Sequence, residues 1–310
     1  MITIKHLRIF MEVCRTESMS RAASSLFISQ PTISQKISDI EEYYHIKLFE
    51  RFSKSLKITE EGKDFYQYAR RVLDEMDRLD ATFLRHDEIV HLRLGATMTV
   101  GSSFFPHLIK EVGKKLEKVN LTGYVDNTSS IEAKLLNNEL DLGIVEGIIT
   151  SPNIVSEPII SDCLVLICGN AHPFAKMPVV HKEDLANQSF IMRELGSGTR
   201  SMFSLFMETQ RIPYRISWEC HSWDAIKQAV IANLGLAIIS VRLIEKELDN
   251  GQIHIIDMED CMWRRMFSLC YHKNKSWSDP LKNLRQEIRN YAQSEKVCPA
   301  NELIKHVLDI

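Results

Sequence analysis

The segment SLFISQPTISQKISDIE, Ser25–Glu41, constrains the fold of this chain more than any other stretch. Pro31 cannot sit deep inside a helix, because proline lacks a backbone N–H donor and its ring clashes with the preceding turn. Directly after it, apolar residues recur at helical spacing: Ile33, Ile37 and Ile40. One helix must therefore end near Phe27 and another begin near Gln30. Ser29 is the candidate N-cap of the second helix, and Pro31 then falls in its first turn, where the missing N–H costs little.

The pattern of residues 1–58 predicts compact helices followed by a hairpin. The first helix is marked by apolar residues at helical spacing: Leu7, Phe10, Met11 and Cys14. Arg21–Leu26 predicts a short second helix, and the third runs over Gln30–Tyr44. The segment Lys47–Thr59 alternates apolar and polar residues around a turn at Ser53–Ser55, which predicts a small β-wing. The second and third helices have helix-turn-helix proportions.

The polar residues at the start of the third helix suit the reading of DNA. In a helix-turn-helix, this end enters the major groove, where short or bidentate side chains reach base edges. Gln30 and Gln35 can pair with adenine, and Thr32 or Ser34 with several bases. The candidate DNA-binding residues are Arg21, Ser29, Gln30, Pro31, Thr32, Ser34, Gln35, Lys36, Arg51 and Lys54. The alternative is a small helical domain with a solvated basic face.

Local charge favours the DNA interpretation, although the net charge of the whole chain is −3. Residues 1–58 hold nine Lys and Arg against six Asp and Glu, so the rest of the chain is acidic. The wing has a single carboxylate, Glu50, and four cations: Lys47, Arg51, Lys54 and Lys57. Such side chains suit contacts to phosphates and the minor groove, which are the salt-dependent part of DNA affinity.

Thr59–Arg85 carries the longest uninterrupted helical pattern. Its apolar residues are spaced 4, 3, 4, 3, 4, as in a heptad seam: Phe65, Ala69, Val72, Met76, Leu79 and Phe83. We expect this linker helix, residues 59–88, to pair two chains, because nothing in its own sequence neighbourhood obviously needs covering. An ordinary amphipathic helix lying on its own domain is the alternative.

From Leu92 onward, short apolar segments alternate with helical ones, which predicts an α/β architecture with largely parallel sheets. The seven cysteines are scattered and form no C-x-x-C pair, which suits a reducing cytosol. No signal peptide and no membrane span is expected. The eleven histidines lack metal-ligand spacing, so no metal or cofactor is predicted.

The chain resembles the LysR-type transcriptional regulators over nearly its whole length. In the N-terminal part, the resemblance is carried by Leu7, Phe10, Ser18, Ala22, Ala23, Leu26, Ser29–Ser34, Ile37, Glu41, Leu48–Arg51 and Ile58–Gly62. Later landmarks are LRLGATMTVG, DLGIVEG, HPF, RELGSGTR, AIKQAVIANLGLAIIS and RRMFSL. The chain departs from the family at Tyr44-His45, where Leu-Gly is usual, and at Lys54, where Arg is common.

The resemblance implies a multidomain α+β fold. A winged helix-turn-helix (1–58) and the linker helix are followed by an effector domain (89–310) that is similar to type 2 periplasmic binding proteins. Its lobe I spans about 89–161 and 267–310, and lobe II about 162–266. The resemblance further implies a cytoplasmic homodimer or homotetramer. Its expected partners are double-stranded promoter DNA, a small-molecule effector and RNA polymerase.

Three stretches rich in hydroxyls follow predicted strands of the effector domain: GATMTVGS, DNTSS and LGSGTR. Strand ends converge in open α/β sheets, and hydroxyls with free backbone N–H groups can cradle a small anion. Together with the resemblance, this gives the effector-binding candidates Thr97, Met98, Thr99, Val100, Asn127, Thr128, Glu146, Ser197, Thr199 and Ser240. Glu146 fits an anion site poorly, so it could instead bind a cationic group or cap a helix. The alternative for each stretch is simple helix capping.

The effector-domain sequence is also compatible with two other functions. One is an enzyme using Thr99 or Thr199 with Glu146, and the other is a solute-binding protein without DNA activity. Neither has a use for a basic winged helix, so residues 1–58 favour a regulator. GSGTR lacks the Lys-Ser or Lys-Thr of a P-loop, and no G-x-S-x-G elbow is present. The landmarks most resemble regulators that sense inorganic anions or small acids, including those of sulfur and carbon assimilation.

Overall fold

A computed structural model describes residues 1–52, 55–83, 89–258 and 263–295. The chain divides into two compact units, the first built on Met1–Ile89 and the second on the residues from Val90 onward, with Leu136–Glu139 grouped with the first. Several predicted positions lie outside the described part: Lys54, the side chains of Arg51 and Phe83, and the C-terminal segment 296–310. Within the described residues, no helix has the length and apolarity that a membrane crossing requires.

The first unit is a winged helix-turn-helix followed by a long helix, as predicted. Its elements are α1 (Ile4–Thr16), α2 (Met19–Ser25), α3 (Gln30–Tyr44), β1 (Phe49–Phe52), β2 (Ser55–Ile58) and α4 (Glu60–Phe83). The α3 helix begins at Gln30 because Ser29 caps it, its Oγ accepting the Thr32 N–H at 3.3 Å. The strands β1 and β2 pair antiparallel to form the wing.

His45 ends α3 in the left-handed conformation, with φ 55° and ψ 39°. Gly is the usual residue at such a position, but His adopts this region more readily than most other side chains. The backbone N–H of Ile46 closes the helix end by donating to the Glu41 carbonyl at 3.1 Å. The Tyr44-His45 departure from the family pattern is therefore compatible with the same helix ending.

The beginning of α4 belongs to the core of the first unit. Ala69 is buried, and the ring of Phe65 packs edge-on against Phe10 with centroids 5.0 Å apart. These two residues therefore cover α1 of their own chain, while their place in a seam between two chains stays a prediction. The expectation that α4 has nothing of its own to cover fails for this part of the helix. Further along, Val72 and Leu79 are about half exposed.

The second unit contains nine strands among the described residues. They are β3 (Val90–Thr97), β4 (Val119–Asp126), β5 (Leu142–Glu146), β6 (Ile154–Gly169), β7 (Ser189–Arg193), β8 (Arg215–Cys220), β9 (Ala237–Ser240), β10 (Ile253–Ile255) and β11 (Trp263–His272). Helices connect them: α5 (Met98–Ser102), α6 (Phe105–Gly113), α7 (Thr128–Leu136), α8 (Gly198–Gln210), α9 (Trp223–Ile231) and α10 (Glu245–Asp249), with α11 (Asp279–Ser294) after the last strand. The edge strand β8 and the first half of β6 were not predicted.

The large sheet of this unit is mixed, so the prediction of largely parallel sheets was wrong. One sheet has the order β10-β6-β11-β5-β3-β4, with β9 also paired to β6, and the other is β7-β8. Only β3 with β4, β3 with β5 and β7 with β8 run parallel. The long strands β6 and β11 pair antiparallel with each other and with their other neighbours. They supply the antiparallel ladders that the α/β alternation did not indicate.

The strand β6 contributes to two hydrophobic cores in turn. Its first half and β11 supply Ile160 and Phe267 to the core of lobe I, together with β3, β5, α6 and α11. Beyond Cys163, its side chains alternate between two clusters of lobe II, one under α9 and one under α8. The two lobes are therefore joined by continuous strands, and residues of β6 and β11 near the crossing lie between them.

Candidate nucleic-acid interface and effector site

The N-terminal end of α3 presents polar side chains to solvent. Gln30 and Pro31 are exposed, while Ile33 and its apolar companions on the opposite face are buried. Ser29 and Thr32 are engaged with each other, with their hydroxyl oxygens 2.7 Å apart. This end of α3 therefore offers Gln30 to a partner, while Ser29 is committed to capping the helix.

Gln35 and Lys36 converge on one carboxylate of their own helix. Gln35 Nε2 donates to Asp39 Oδ1 at 2.9 Å, and Lys36 Nζ to Asp39 Oδ2 at 3.0 Å. The hydrogen bond from Gln35, followed by that from Lys36, lowers the pKa of Asp39 to about 2. Each of these bonds uses one N–H of its side chain, so Gln35 and Lys36 retain further donors for a base or a phosphate. Arg21 is exposed on α2.

In the second unit, the three hydroxyl-rich stretches do come together. Thr128 Oγ1 donates to the Glu146 carbonyl at 2.9 Å, and the Ser129 N–H donates to the Gly196 carbonyl at 3.3 Å. A Cβ on Gly198 would lie 2.6 Å from the Glu146 carbonyl oxygen, so only glycine permits this approach of α8 to the end of β5. The ends of β3, β4, β5 and β7 thus surround one site.

The predicted residues at this site differ in what their side chains do. Asn127 caps α7, its Oδ1 accepting the Ser130 N–H at 3.0 Å, as the capping alternative proposed. Thr97 and Ser197 stand at the N-cap positions of α5 and α8 but make no side-chain cap bond. Their hydroxyl oxygens are buried and have no hydrogen-bond partner among the described residues. Simple capping therefore does not explain these two hydroxyls.

Two of the predicted effector residues have their partners within the chain itself. The side chain of Val100 is fully buried in the hydrophobic core of lobe I, so it packs against other apolar residues of the chain. Ser240 Oγ donates to Asp162 Oδ1 at 2.6 Å and accepts the Arg242 N–H at 3.3 Å. Met98 is partly exposed and lines an open cleft of about 410 Å³, together with Ser102, Trp223 and Arg242.

Arg265, on β11, is the centre of the site, and its side chain is 3% exposed. Its Nε donates to Asp162 Oδ2 at 2.6 Å, and its Nη2 lies 3.4 Å from Glu146 Oε2. Its Nη1 donates to Thr199 Oγ1 of α8 at 2.9 Å, and its Nη2 to Thr99 Oγ1 of α5 at 3.4 Å. One guanidinium therefore ties lobe I to lobe II. The predicted anion cradle contains formal charges, contrary to the expectation that hydroxyls and backbone groups alone form it.

Glu146 is the carboxylate of lobe I that forms an ion pair with this guanidinium. Its Oε1 accepts a hydrogen bond from the Thr99 hydroxyl at 2.8 Å, while its Oε2 makes the ion pair with Arg265 and has no hydrogen bond from the described residues. Burial raises the pKa of Glu146, although Arg265 and Thr99 act in the opposite direction. The cationic group that Glu146 meets is therefore a residue of the chain itself. Among the described residues, no group of three or more His, Cys, Asp or Glu could hold a metal ion.

Comparisons with known proteins decide the family. Residues 4–63 match the family model of the bacterial regulatory helix-turn-helix protein, lysR family, and residues 87–293 match that of the LysR substrate binding domain. The chain belongs to the LysR family. It is thus a DNA-binding transcriptional regulator whose activity is modulated by a small-molecule effector.

Relatives of this LysR regulator match over most of its length. A probable RuBisCO transcriptional regulator of Gracilaria tenuistipitata var. liui is 32% identical over 92% of this chain and 95% of its own. The transcriptional activator CmpR of Synechocystis is 30% identical over 89% of this chain and 91% of its own. The CcmR regulatory domain of Synechocystis, solved in complex with 2-PG, covers 66% of this chain and 98% of its own, with 26% identity and a TM-score of 0.62.

Full-length OxyR from Pseudomonas aeruginosa shares the fold of this regulator. It has a TM-score of 0.72 at 19% identity, and the match covers 94% of this chain and 95% of that one. At this identity the likeness concerns the fold alone.

Sequence reasoning missed Arg265 and Asp162 as site residues of this LysR regulator. The motif RRMFSL was noticed as a family landmark, but its second arginine was not assigned a role. The sequence contained a signal for Arg265. Side chains of a strand alternate between its two faces, and in this apolar strand Arg265 occupies a position of the inward face, so its side chain must point into the protein. A buried arginine requires carboxylates, and Glu146 was already the unexplained carboxylate of the site.

Replacing Arg265 by Met should destabilise the second unit by about 3–5 kcal/mol, because Glu146 and Asp162 would remain buried without their shared cation. Unfolding can be followed by fluorescence, since all four tryptophans lie in this unit: Trp218, Trp223, Trp263 and Trp277. The matched control is Arg264→Met at the exposed neighbouring position. Equal stability of the two variants would contradict the central role of Arg265.

Proposed function

We propose that this LysR regulator reads base edges with the N-terminal end of α3 and responds to a small anion that binds Arg265 between the two lobes. The DNA part rests on the exposed Gln30 beside the capped start of α3, since an amide at this place can pair with adenine. The basic wing, with Lys47 and Lys57 in its described part, adds phosphate contacts that position the helix.

The effector part is carried by one observation, the buried guanidinium of Arg265 with hydroxyls from both lobes around it. A planar guanidinium binds carboxylate or phosphate oxygens in a bidentate manner. Thr97 and Ser197 supply two buried hydroxyls that have no hydrogen-bond partner among the described residues. Buried polar groups are normally hydrogen-bonded, so a bound anion would supply the acceptor that these hydroxyls lack. The 2-PG complex of the related CcmR domain agrees with an anionic class of ligand.

An anion at Arg265 has to compete with Glu146. The carboxylate already supplies the negative charge on the lobe I side, while Asp162 holds the Nε edge of the guanidinium. Two negative groups on one side of Arg265 repel each other, so anion binding favours the protonated form of Glu146 or its withdrawal. Burial raises the pKa of Glu146, which makes its protonation easier. The effector thereby exchanges one negative charge in the site for another.

The regulator acts on DNA as a paired molecule without catalysis. The exposed part of α4, with Val72 and Leu79, is the surface that we assign to pairing between two chains, with four chains as the larger assembly. Thr99, the candidate nucleophile of the enzyme alternative, is fully buried and hydrogen-bonded to Glu146. The relatives of this protein are regulators. RNA polymerase is the proposed protein partner, and the cytoplasm the proposed location.

Replacing Gln30 by Ala should weaken binding to the cognate site while leaving binding to unrelated duplex DNA nearly unchanged, because a bidentate base contact is worth about 1–3 kcal/mol of discrimination. Gel shifts with the gene's own upstream region and a scrambled duplex, at several salt concentrations, measure both affinities. Arg21→Ala is the comparison variant. Its affinity for both duplexes should depend less steeply on salt than that of the native protein. An equal loss on both duplexes for Gln30→Ala would contradict base reading at this residue.

Replacing Glu146 by Gln should tighten anion binding and remove its pH dependence. In the native protein, affinity should fall as pH rises through and above the raised pKa of Glu146, since the ionised carboxylate repels the ligand. Titration calorimetry with sulfate, whose own charge does not change over this range, measures this at several pH values. Other charges near Glu146 are those of Arg265, Asp162 and Arg193.

The variant Thr199→Val serves as the matched control for Glu146→Gln, because it removes a hydroxyl that binds Arg265 without changing the charge of the site. It should weaken anion binding and keep the pH dependence of the native protein. Binding to the native protein that is constant over the whole pH range would contradict the competition between Glu146 and the ligand.

A further inference from the structure

Phe27 occupies a backbone position that normally belongs to glycine. It follows the end of α2 with φ 55°, in the left-handed region. The Phe27 N–H donates to the Ser24 carbonyl at 3.3 Å, and the Ile28 N–H donates to the Ala23 carbonyl at 3.0 Å. These two bonds form the Schellman motif, whose left-handed residue is most often Gly and sometimes Asn.

A phenylalanine at this position is unfavourable for folding in two ways. The left-handed region is disfavoured for L residues, and more so for bulky ones. Eight non-glycine residues of the described chain have positive φ; three are Asn, and Phe27 is the only one that is Phe, Tyr or Trp. Its side chain is also 95% exposed, so it gains nothing from burial.

The neighbours of Phe27 show that its exposure follows from the turn itself. Leu26 and Ile28, on either side, both pack against the core of the first unit. The left-handed residue between them directs its own side chain outward, so any residue at this position would be exposed. Asn or Gly would form the same turn at lower cost, and neither would leave an apolar ring in water.

We propose that Phe27 is a DNA-contact residue whose ring packs against apolar surface of the duplex, the deoxyribose of the backbone or a thymine methyl. It stands three residues before Gln30, next to the end of α3 that the proposed function places in the major groove. The inference rests on that function for the identity of the partner. Apolar contact with thymine methyls is an established way for a protein to read DNA, and it needs no charge.

The variant Phe27→Asn separates this role from a structural one. Asn suits the left-handed turn, so the unfolding temperature of the first unit should rise by about 4 °C in this variant. Calorimetry measures this temperature. Its affinity for the gene's own upstream duplex should nevertheless fall by about tenfold. The slope of log affinity against log salt should stay that of the native protein, because no ionic contact is lost.

Two further variants complete the experiment. Phe27→Tyr keeps the ring and should bind DNA within about twofold of the native protein. Tyr43→Ala removes another exposed aromatic ring, about 20 Å along α3 from Gln30, and should leave DNA affinity unchanged. If exposed rings had a general effect on DNA binding, Phe27→Asn and Tyr43→Ala would both bind DNA more weakly. That result would overturn the proposal.

The remaining outcomes also decide the proposal. Unchanged DNA affinity of Phe27→Asn overturns it, and lost transcription activation with native DNA binding would assign Phe27 to a protein partner instead. A lower unfolding temperature would mean that Phe27 serves the fold. Failure of the base-reading function can be distinguished from failure of this proposal. The first shows in the two DNA affinities of Gln30→Ala, and the second in the stability and DNA affinity of the Phe27 variants, which are measured separately.

Discussion

The ion pairs of Arg265 hold the effector domain together at its centre. The guanidinium meets Glu146 and Thr99 from lobe I and Thr199 from lobe II, and Asp162 on the strand that joins the lobes. Removing a cation from water is costly, and only close carboxylates offset this cost. The relative position of the lobes is thus coupled to the charge balance at one buried side chain. A ligand that changes this balance changes the contacts between the lobes.

This arrangement gives a physical basis for effector control. A ligand shifts an equilibrium between two conformations only as far as it prefers one of them. An anion that replaces Glu146 at Arg265 interacts directly with the group that bridges the lobes. Its affinity therefore differs between one arrangement of the lobes and another. Thr97 and Ser197, buried hydroxyls at the N-termini of α5 and α8, add contacts that favour the ligand-bound form.

The local structure of the first unit followed closely from its sequence. Pro31 and Ser29 determine where α3 begins, and His45 where it ends, because capping and backbone preferences act over a few residues. The role of α4 was harder to predict, since the heptad spacing of Phe65 and Ala69 is the same for a helix that pairs with α1 and for one that pairs with another chain. Only the fold shows that these residues pack against Phe10.

In the effector domain, strands and helices were predictable from alternation, but their pairing was not. The antiparallel pairing of β6 with β11 joins segments about a hundred residues apart, and no local pattern reports such a contact. The same distance in sequence hid the site: Arg265 and Asp162 meet across 103 residues. Strand-end hydroxyls such as Thr99 and Thr199 were found because their position depends only on the strand and helix beside them.

The most direct measurement of the central claim is a crystal structure of the whole regulator with a bound anion, either 2-PG or sulfate, compared with the anion-free crystal. The account predicts anion oxygens on Arg265 and near Thr97 and Ser197, with Glu146 Oε2 moved away from the guanidinium or donating a hydrogen bond to the anion. An anion bound elsewhere, with the Glu146–Arg265 pair unchanged, would contradict it.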